Sequence, residues 1–329
     1  VNCHGWQFNR PPIDSTVISF RLMLADGKIV KCSRTENAEL FSLVLGGYGL
    51  FGIILDADLR VVSNEKYKRE RVPVSAADYI KTLAVKTADT NGVAMVYGRL
   101  RVTAENFLQE GVINVFHRQP GTNFLVSKLA APDKSGLQRA IFRGGVSSDY
   151  GKGLRWTAEK YFSDALSGDV FDRNAILFEP SAWFSERSTN RTDILIECFV
   201  PPEQFEPLLV ELRKIIPENR ADLLNLTVRD INRDDDSFLR YADRNMISLV
   251  MLFVQQREAA GEQRMAELTR EIVAAALRHE GRYYLPYRLH ATPEQFNAAY
   301  PQARSFFELK RKYDPEELFQ NAFYLKYAE

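Results

Sequence analysis

The sequence is poor in cysteine and histidine and has no net charge. Three cysteines, Cys3, Cys32 and Cys198, stand far apart in 329 residues. An odd, widely spaced set gives neither a disulfide framework nor a zinc pattern, and a reduced, cytoplasmic setting is expected. The four histidines, His4, His117, His279 and His290, never fall at metal-ligand spacing, so no metal is expected. Lys plus Arg equals Asp plus Glu at 43 each, which gives no sign of a nucleic-acid partner. No apolar run approaches the roughly 20 residues of a membrane span, and no signal peptide is recognisable. G-x-S-x-G and P-loop motifs are missing, which leaves hydrolase and NTPase readings without support. "DINRDDDSF" opens like a calcium loop with Asp230, Asn232 and Asp234, but it has Asp235 where the turn glycine belongs and Tyr241 at the twelfth position. It reads as a solvated acidic loop.

What remains is ordinary globular material, 45% hydrophobic and 26% charged, long enough for two domains. Within it, "GGYGLFGIIL" carries Gly47-x-Gly49-x-x-Gly52, the spacing of a dinucleotide-binding loop. Such a loop must follow a strand and open a helix. Here the order is reversed. "SRTENAELFSLVL" upstream has helical spacing, with Ser33, Thr35 and Asn37 as candidate N-caps. "FGIILDADLRVV" downstream is β-branched and reads as a strand. The glycines therefore end a helix, as a structural turn or as backbone that comes close to a flat ligand.

Two strand-like runs in "TVISFRLMLADGKIVKCS" meet at Asp26-Gly27, a hairpin signal. With the helix and strand that follow, residues 1 to about 70 form a small α+β unit, and the polar "VSNEKYKRERVPV" marks its boundary. Residues 71–280 read as a second unit. Strands are expected at "VAMVYGRLRV", "GVINVFHRQ", "TDILIECFV", "ADLLNLTVRDI" and "MISLVMLFVQQ". Helices are expected at "SAADYIKTLAVKTADTNG", closed by Gly92, at "LRWTAEKYFSDALSG", at "PPEQFEPLLVELRKIIPENR", and at "GEQRMAELTREIVAAALRHEG", ending at Gly281. The pattern suggests one large sheet with helices on one face. Residues 281–329 are rich in aromatics and include one long helix, "TPEQFNAAYPQARSFFELKRKY". The chain begins "VNCHGWQFNRPPIDS", as if entering in the middle of a domain.

Two clusters invite a chemical reading. "NCHGW" sets His4 beside Gly5, either as a turn or as backbone and imidazole lying against a cofactor. "RYYLPYRLH" gathers Tyr284, Tyr287, Arg288 and His290, either as an aromatic edge strand broken by Pro286 or as a redox pocket in which a phenol meets a substrate hydroxyl and a guanidinium holds negative charge.

Taken in order, "CHG", "SFRLMLADGKIVKCSRTEN", "AELFSLVLGGYGLFGIIL" and the final "KRKYDPEELFQN" resemble the second half of the flavin domain of the vanillyl-alcohol oxidase / p-cresol methylhydroxylase (PCMH) type of FAD-linked oxidases. Decaprenylphosphoryl-ribose oxidase and the sugar-lactone and alditol oxidases are among the members it resembles. The resemblance implies an α+β fold: the C-terminal half of a PCMH-type FAD-binding domain plus a cap with a large antiparallel sheet flanked by helices. Residues 1–70 would be the second part of the flavin domain, 71–280 the substrate cap, and 281–329 a return to the flavin domain. It also implies that the pyrophosphate-holding half lies before Val1, and that the chain as given holds FAD weakly.

By the same resemblance, Asn2, Cys3, His4 and Gly5, the turn at Tyr48, Gly49 and Gly52, Ile54, Tyr284 and Asn321 lie against FAD. The family's lysine, three residues after the tyrosine matched by Tyr284, is replaced by Tyr287 and followed by Arg288. A cation near the flavin ring stabilises its reduced form. Tyr284, Tyr287 and His290 are candidate bases, and a tyrosine would need a neighbouring cation such as Arg288 to lower its pKa. Asn225, Arg229 and Gln255 are expected on cap strands facing substrate. The expected activity is FAD-dependent oxidation of a CH–OH group in a sugar, sugar lactone or polyol by hydride transfer to flavin N5, with the electron acceptor open. The alternative is a non-catalytic binding or scaffold remnant of such an enzyme.

Overall fold

The computed structural model describes residues 2–119, 135–162, 169–177 and 185–328. In chain order its elements are β1 (Val17–Met23), β2 (Ile29–Ser33), α1 (Ala38–Val44), β3 (Ile53–Leu59), β4 (Lys66–Ser75), α2 (Tyr79–Lys86), β5 (Val93–Leu100) and β6 (Glu110–Arg118). These are followed by α3 (Ser135–Arg143), α4 (Asp149–Thr157), β7 (Val170–Asp172), α5 (Arg173–Leu177), β8 (Arg191–Val200), α6 (Phe205–Glu218), β9 (Asp222–Ile231) and β10 (Met246–Gln256). The chain closes with α7 (Ala259–Arg278), β11 (Arg282–Tyr283), α8 (Pro293–Ala299), α9 (Ala303–Tyr313) and α10 (Ala322–Tyr327). This is a mixed α+β architecture with two sheets. The small one has the order β2-β1-β3, and the large one β11-β8-β10-β9-β5-β6-β4-β7. All their pairings are antiparallel.

Side chains alternate across a strand, so each strand of the large sheet serves two surroundings. On β8, Ile194, Ile196, Cys198 and Val200 join the core formed with Tyr79 and Leu83 of α2, Leu208 and Leu212 of α6, and Leu268 and Ile272 of α7. Ile247, Leu249, Met251 and Phe253 of β10 do the same, as do Leu226 and Val228 of β9. The intervening residues face the other side of the sheet, and there the site is built.

A second core joins the two ends of the chain. Phe20, Leu22, Leu40, Phe41, Leu50 and Phe51 pack with Tyr284, Phe296, Phe306, Phe323 and Tyr327. The "KRKYDPEELFQN" segment braces this core. Lys310 is wholly buried and lies 2.5 Å from Asp314, whose carboxylate also accepts the backbone N–H groups of Leu318 (3.0 Å) and Phe319 (2.8 Å). Asn321 caps α10 by accepting from the Tyr324 N–H and donates to the Tyr48 carbonyl at 2.8 Å.

The structure differs from the sequence reading in several elements. "KYKRERVPV", read as a boundary, is a strand: as β4 it pairs with β6 along nine residues. The long C-terminal helix breaks into α8 and α9 around Pro301, because the residue before a proline avoids helical geometry. α2 ends at Lys86, short of Gly92, whose N–H is held by Asp89 at 2.9 Å. α7 ends at Arg278, and Glu280 rather than Gly281 takes positive φ. α4 starts earlier than expected and runs into a π-helical turn, Ala158–Phe162. The rest of that expected helix, residues 163–168, lies outside the described residues, as does Val1. The acidic loop is not simply solvated: Asp234 is fully buried.

Candidate active site

Strands β5, β8, β9 and β10 place Arg99, Leu195, Asn225, Arg229 and Leu252 around a cavity of about 830 Å³, which Tyr287 and Arg288 close from the C-terminal segment. Asn225 and Arg229, two of the residues expected to face substrate, therefore share one space with two expected catalytic residues. Gln255 does not join them. It has the parity of Ile247 and Phe253 on β10, so it turns to the helix side and donates to Glu262 of α7 at 2.7 Å.

Behind Tyr287 lies a group that the sequence reading missed. Glu197, the only charged residue from Ile194 to Val200, is almost wholly buried on β8. His4 Nε2 lies 2.6 Å from its Oε1, and the Ser248 hydroxyl donates to the same oxygen at 2.5 Å. Burial pushes the Glu197 carboxyl up, but His4, Arg229 and Ser248 outweigh it, and its pKa falls below the ordinary value. The available signal was a single carboxylate inside an apolar strand, since a buried charge requires partners.

His4 is fixed from all sides. Phe199, Tyr241 and Tyr284 surround its ring at centroid distances of 5.6, 5.7 and 6.0 Å. Its backbone carbonyl accepts from Arg229 at 3.2 Å. Two buried atoms in this cluster, His4 Nδ1 and Arg229 Nε, have no hydrogen-bond partner.

The phenols are not activated as bases. Tyr284 donates to the Asn2 carbonyl at 2.9 Å. Burial, and then the charge of Glu197, push the Tyr284 and Tyr287 hydroxyls above the ordinary tyrosine value, with Arg229 pulling the other way. Arg288 does not do what was expected of it. It pairs with Glu262 at 2.6 Å and stays about half exposed. His290 does not line the cavity. It packs between Thr269 (3.0 Å) and Glu262 (2.8 Å), and burial lowers its pKa despite Glu262. Glu262, held by His290, Gln255 and Arg288, falls to about 2. Because the strand stops at Tyr283, Tyr287 and Arg288 are not on opposite faces, and both reach the cavity.

The segment and turn expected against a cofactor lie together. A side chain on Gly46 would come 3.4 Å from Cβ of Asn2, and Tyr48 packs against the core that contains Tyr284. Cys3, Gly5, Gly49 and Ile54 are exposed, and a Cβ on Gly5 or Gly49 would meet nothing within 4 Å. Gly52 lies at φ +145 against the Met23 carbonyl, so its role is packing. The Asn2 side chain is spent internally, donating to Asp14 (2.9 Å) and Asp234 (3.1 Å). The Asn321 side chain likewise holds the turn and its own helix.

Among the described residues no helix is long and apolar enough to cross a membrane, and no cluster of three or more His, Cys, Asp or Glu could hold a metal. No family model matches the chain. Short segments are similar to known oxidoreductases. One is 47% identical over 53 residues to cytokinin dehydrogenase 3 of Oryza sativa subsp. japonica, covering 16% of this chain and 10% of that protein. Another is 29% identical over 112 residues to an uncharacterized oxidoreductase in the fasciation locus of Rhodococcoides fascians, covering 32% and 24%. A third is 47% identical over 45 residues to an FAD-dependent monooxygenase of Arthrobotrys oligospora, covering 14% and 9%. The matched segments thus span a quarter or less of each relative. These matches align the chain with flavin-type oxidoreductases; none of the three names refers to a sugar or polyol.

Proposed function

We propose that this chain forms the substrate-binding side and part of the flavin-binding side of an FAD-dependent oxidoreductase that oxidises a CH–OH donor in the cavity beneath Tyr287. The observation that carries the reading is the meeting of Arg229 and Tyr287 at the wall of one large cavity, with Arg229 bonded to the His4 carbonyl and His4 in turn to the buried Glu197 behind that wall. Perturbed titratable groups meeting in a concave pocket mark a site of chemistry.

The residues fit a flat, partly apolar ring. Gly5 and Gly49 leave their backbones uncovered, Ile54 offers apolar surface, and His4 Nδ1 is a buried polar atom awaiting a partner. Residues 2–5, the turn at 48–52, Ile54 and Tyr284 would hold the flavin, which supplies the acceptor for the donor's hydride. The chain's own groups do the rest. Asn225 offers both a donor and an acceptor to hydroxyls. Arg229 holds negative charge at the cavity wall. Leu195, Leu252 and Phe142 exclude water. The Tyr287 hydroxyl holds a proton at the cavity wall. The CH–OH donor class, in a sugar, sugar lactone or polyol, rests on this arginine- and amide-lined cavity; the relatives' names do not supply it.

The test is anaerobic. The holoprotein with its pyrophosphate-binding half present should show a flavin spectrum that sugars, lactones or polyols bleach. A flavin-free protein, or one bleached by amines and by no CH–OH donor, contradicts the proposal.

A further inference from the structure

The structure contains a buried carboxylate whose position the cavity alone does not require. Glu197 and Tyr287 together line one small pocket, and Tyr287 is also a wall of the large cavity. Glu197 is held by His4 and Ser248. The other titratable groups that sense its charge are Arg229, Tyr241, Tyr284, Tyr300 and, on the opposite face of β8, Cys198. A phenol that lines the cavity is a poor base alone, because losing its proton would place a second negative charge next to Glu197. A phenol that passes its proton on to Glu197 avoids that charge.

We propose that Glu197 is the proton acceptor of this site and that it acts through Tyr287. The donor's hydroxyl O–H bond breaks and its proton bonds to the Tyr287 oxygen. In the same step the Tyr287 O–H bond breaks and its proton bonds to Glu197. Tyr287 stays neutral, Glu197 goes from carboxylate to acid, and the donor becomes the alkoxide. No electrons leave the donor in this step. Arg229 offsets the charge on the carboxylate beforehand, and Ser248 and His4 fix which oxygen faces inward. His290, which the sequence reading offered as a base, takes no part, since it faces Glu262 instead.

The inference rests on the proposed oxidoreductase reading, and the test separates the two. Glu197→Gln and Tyr287→Phe are each examined by anaerobic reduction of the holoprotein's flavin with a reducing sugar or polyol. Each should lower the limiting rate by on the order of 100-fold to 10,000-fold, with little change in the concentration giving half the limiting rate. The double variant should be no slower than the slower single one, since both act on one proton. The rate of Glu197→Gln should climb with pH where the wild type is level. Independently of rate, the reduced-minus-oxidised infrared difference spectrum of the wild type should show a protonated-carboxyl band that Glu197→Gln lacks. If Glu197→Gln does not fold, Tyr287→Phe carries the rate test, and in it the carboxyl band should vanish. A wild type that no donor reduces defeats the functional reading. A wild type that is reduced, with Glu197→Gln or Tyr287→Phe keeping its rate or its carboxyl band, defeats this inference alone.

Discussion

Asn2 shows how one residue can serve the site without facing it. Its amide donates to both Asp14 and Asp234, and its carbonyl accepts from Tyr284. Burial, then the hydrogen bond and charge of Asp234, raise the Asp14 carboxyl to about 8. The folded chain therefore binds a proton that the unfolded chain releases near pH 4. The resulting stability is fully present below the unfolded value and is lost as pH rises toward about 8. Asp14→Asn should remove that decline, so melting temperatures of variant and wild type should converge at acid pH and separate toward pH 8, with the variant higher. Parallel curves across the range would show that Asp14 does not hold the proton. The acidic run around Asp234 suggested solvation because composition records charge and not partners. Glu197 escaped notice for the converse reason, lying inside an apolar strand whose pattern conceals what its polar face meets.

At the scale of elements, the turn between α1 and β3 separates conformational from functional glycines. Helix, turn and strand were legible from spacing, and they exclude a nucleotide loop, since the glycines follow a helix. The spacing did not show which glycine is packed. A Cβ on Gly52 would lie 2.4 Å from the Met23 carbonyl oxygen at φ +145, whereas Gly49, at φ +78, opens to empty space. Gly49→Ala should cost about 1–2 kcal/mol, the strain of a left-handed non-glycine residue. Gly52→Ala should cost more, because backbone must also move. Chemical denaturation measures both, and equal losses would contradict the packing assigned to Gly52. β4 was missed for a related reason. It lies next to the last strand of the large sheet, where most of its side chains are only partly covered, so the charges of a surface strand looked like those of a boundary.

For the whole molecule, the large antiparallel sheet was legible because its strands are apolar and regularly spaced. Its division into a helix-covered face and a chemical face follows from alternation, but which strands are neighbours is a matter of topology that the sequence does not print. That is why Asn225 and Arg229 reached the cavity while Gln255, on an adjoining strand, turned away from it. The packing of the first 59 residues against the last 49 depends on the same long-range order. The central claim is that the cavity between β8, β9, β10 and Tyr287 receives the donor. Leu252→Trp tests it most directly, because Leu252 lines the cavity and is not one of the residues assigned to the flavin. The measurement is anaerobic bleaching of the holoprotein's flavin by a donor that bleaches the wild type. The account predicts a variant that keeps its flavin and its fold but is no longer reduced by that donor. A variant reduced at the wild-type rate and the wild-type donor concentration would place the donor elsewhere and contradict it.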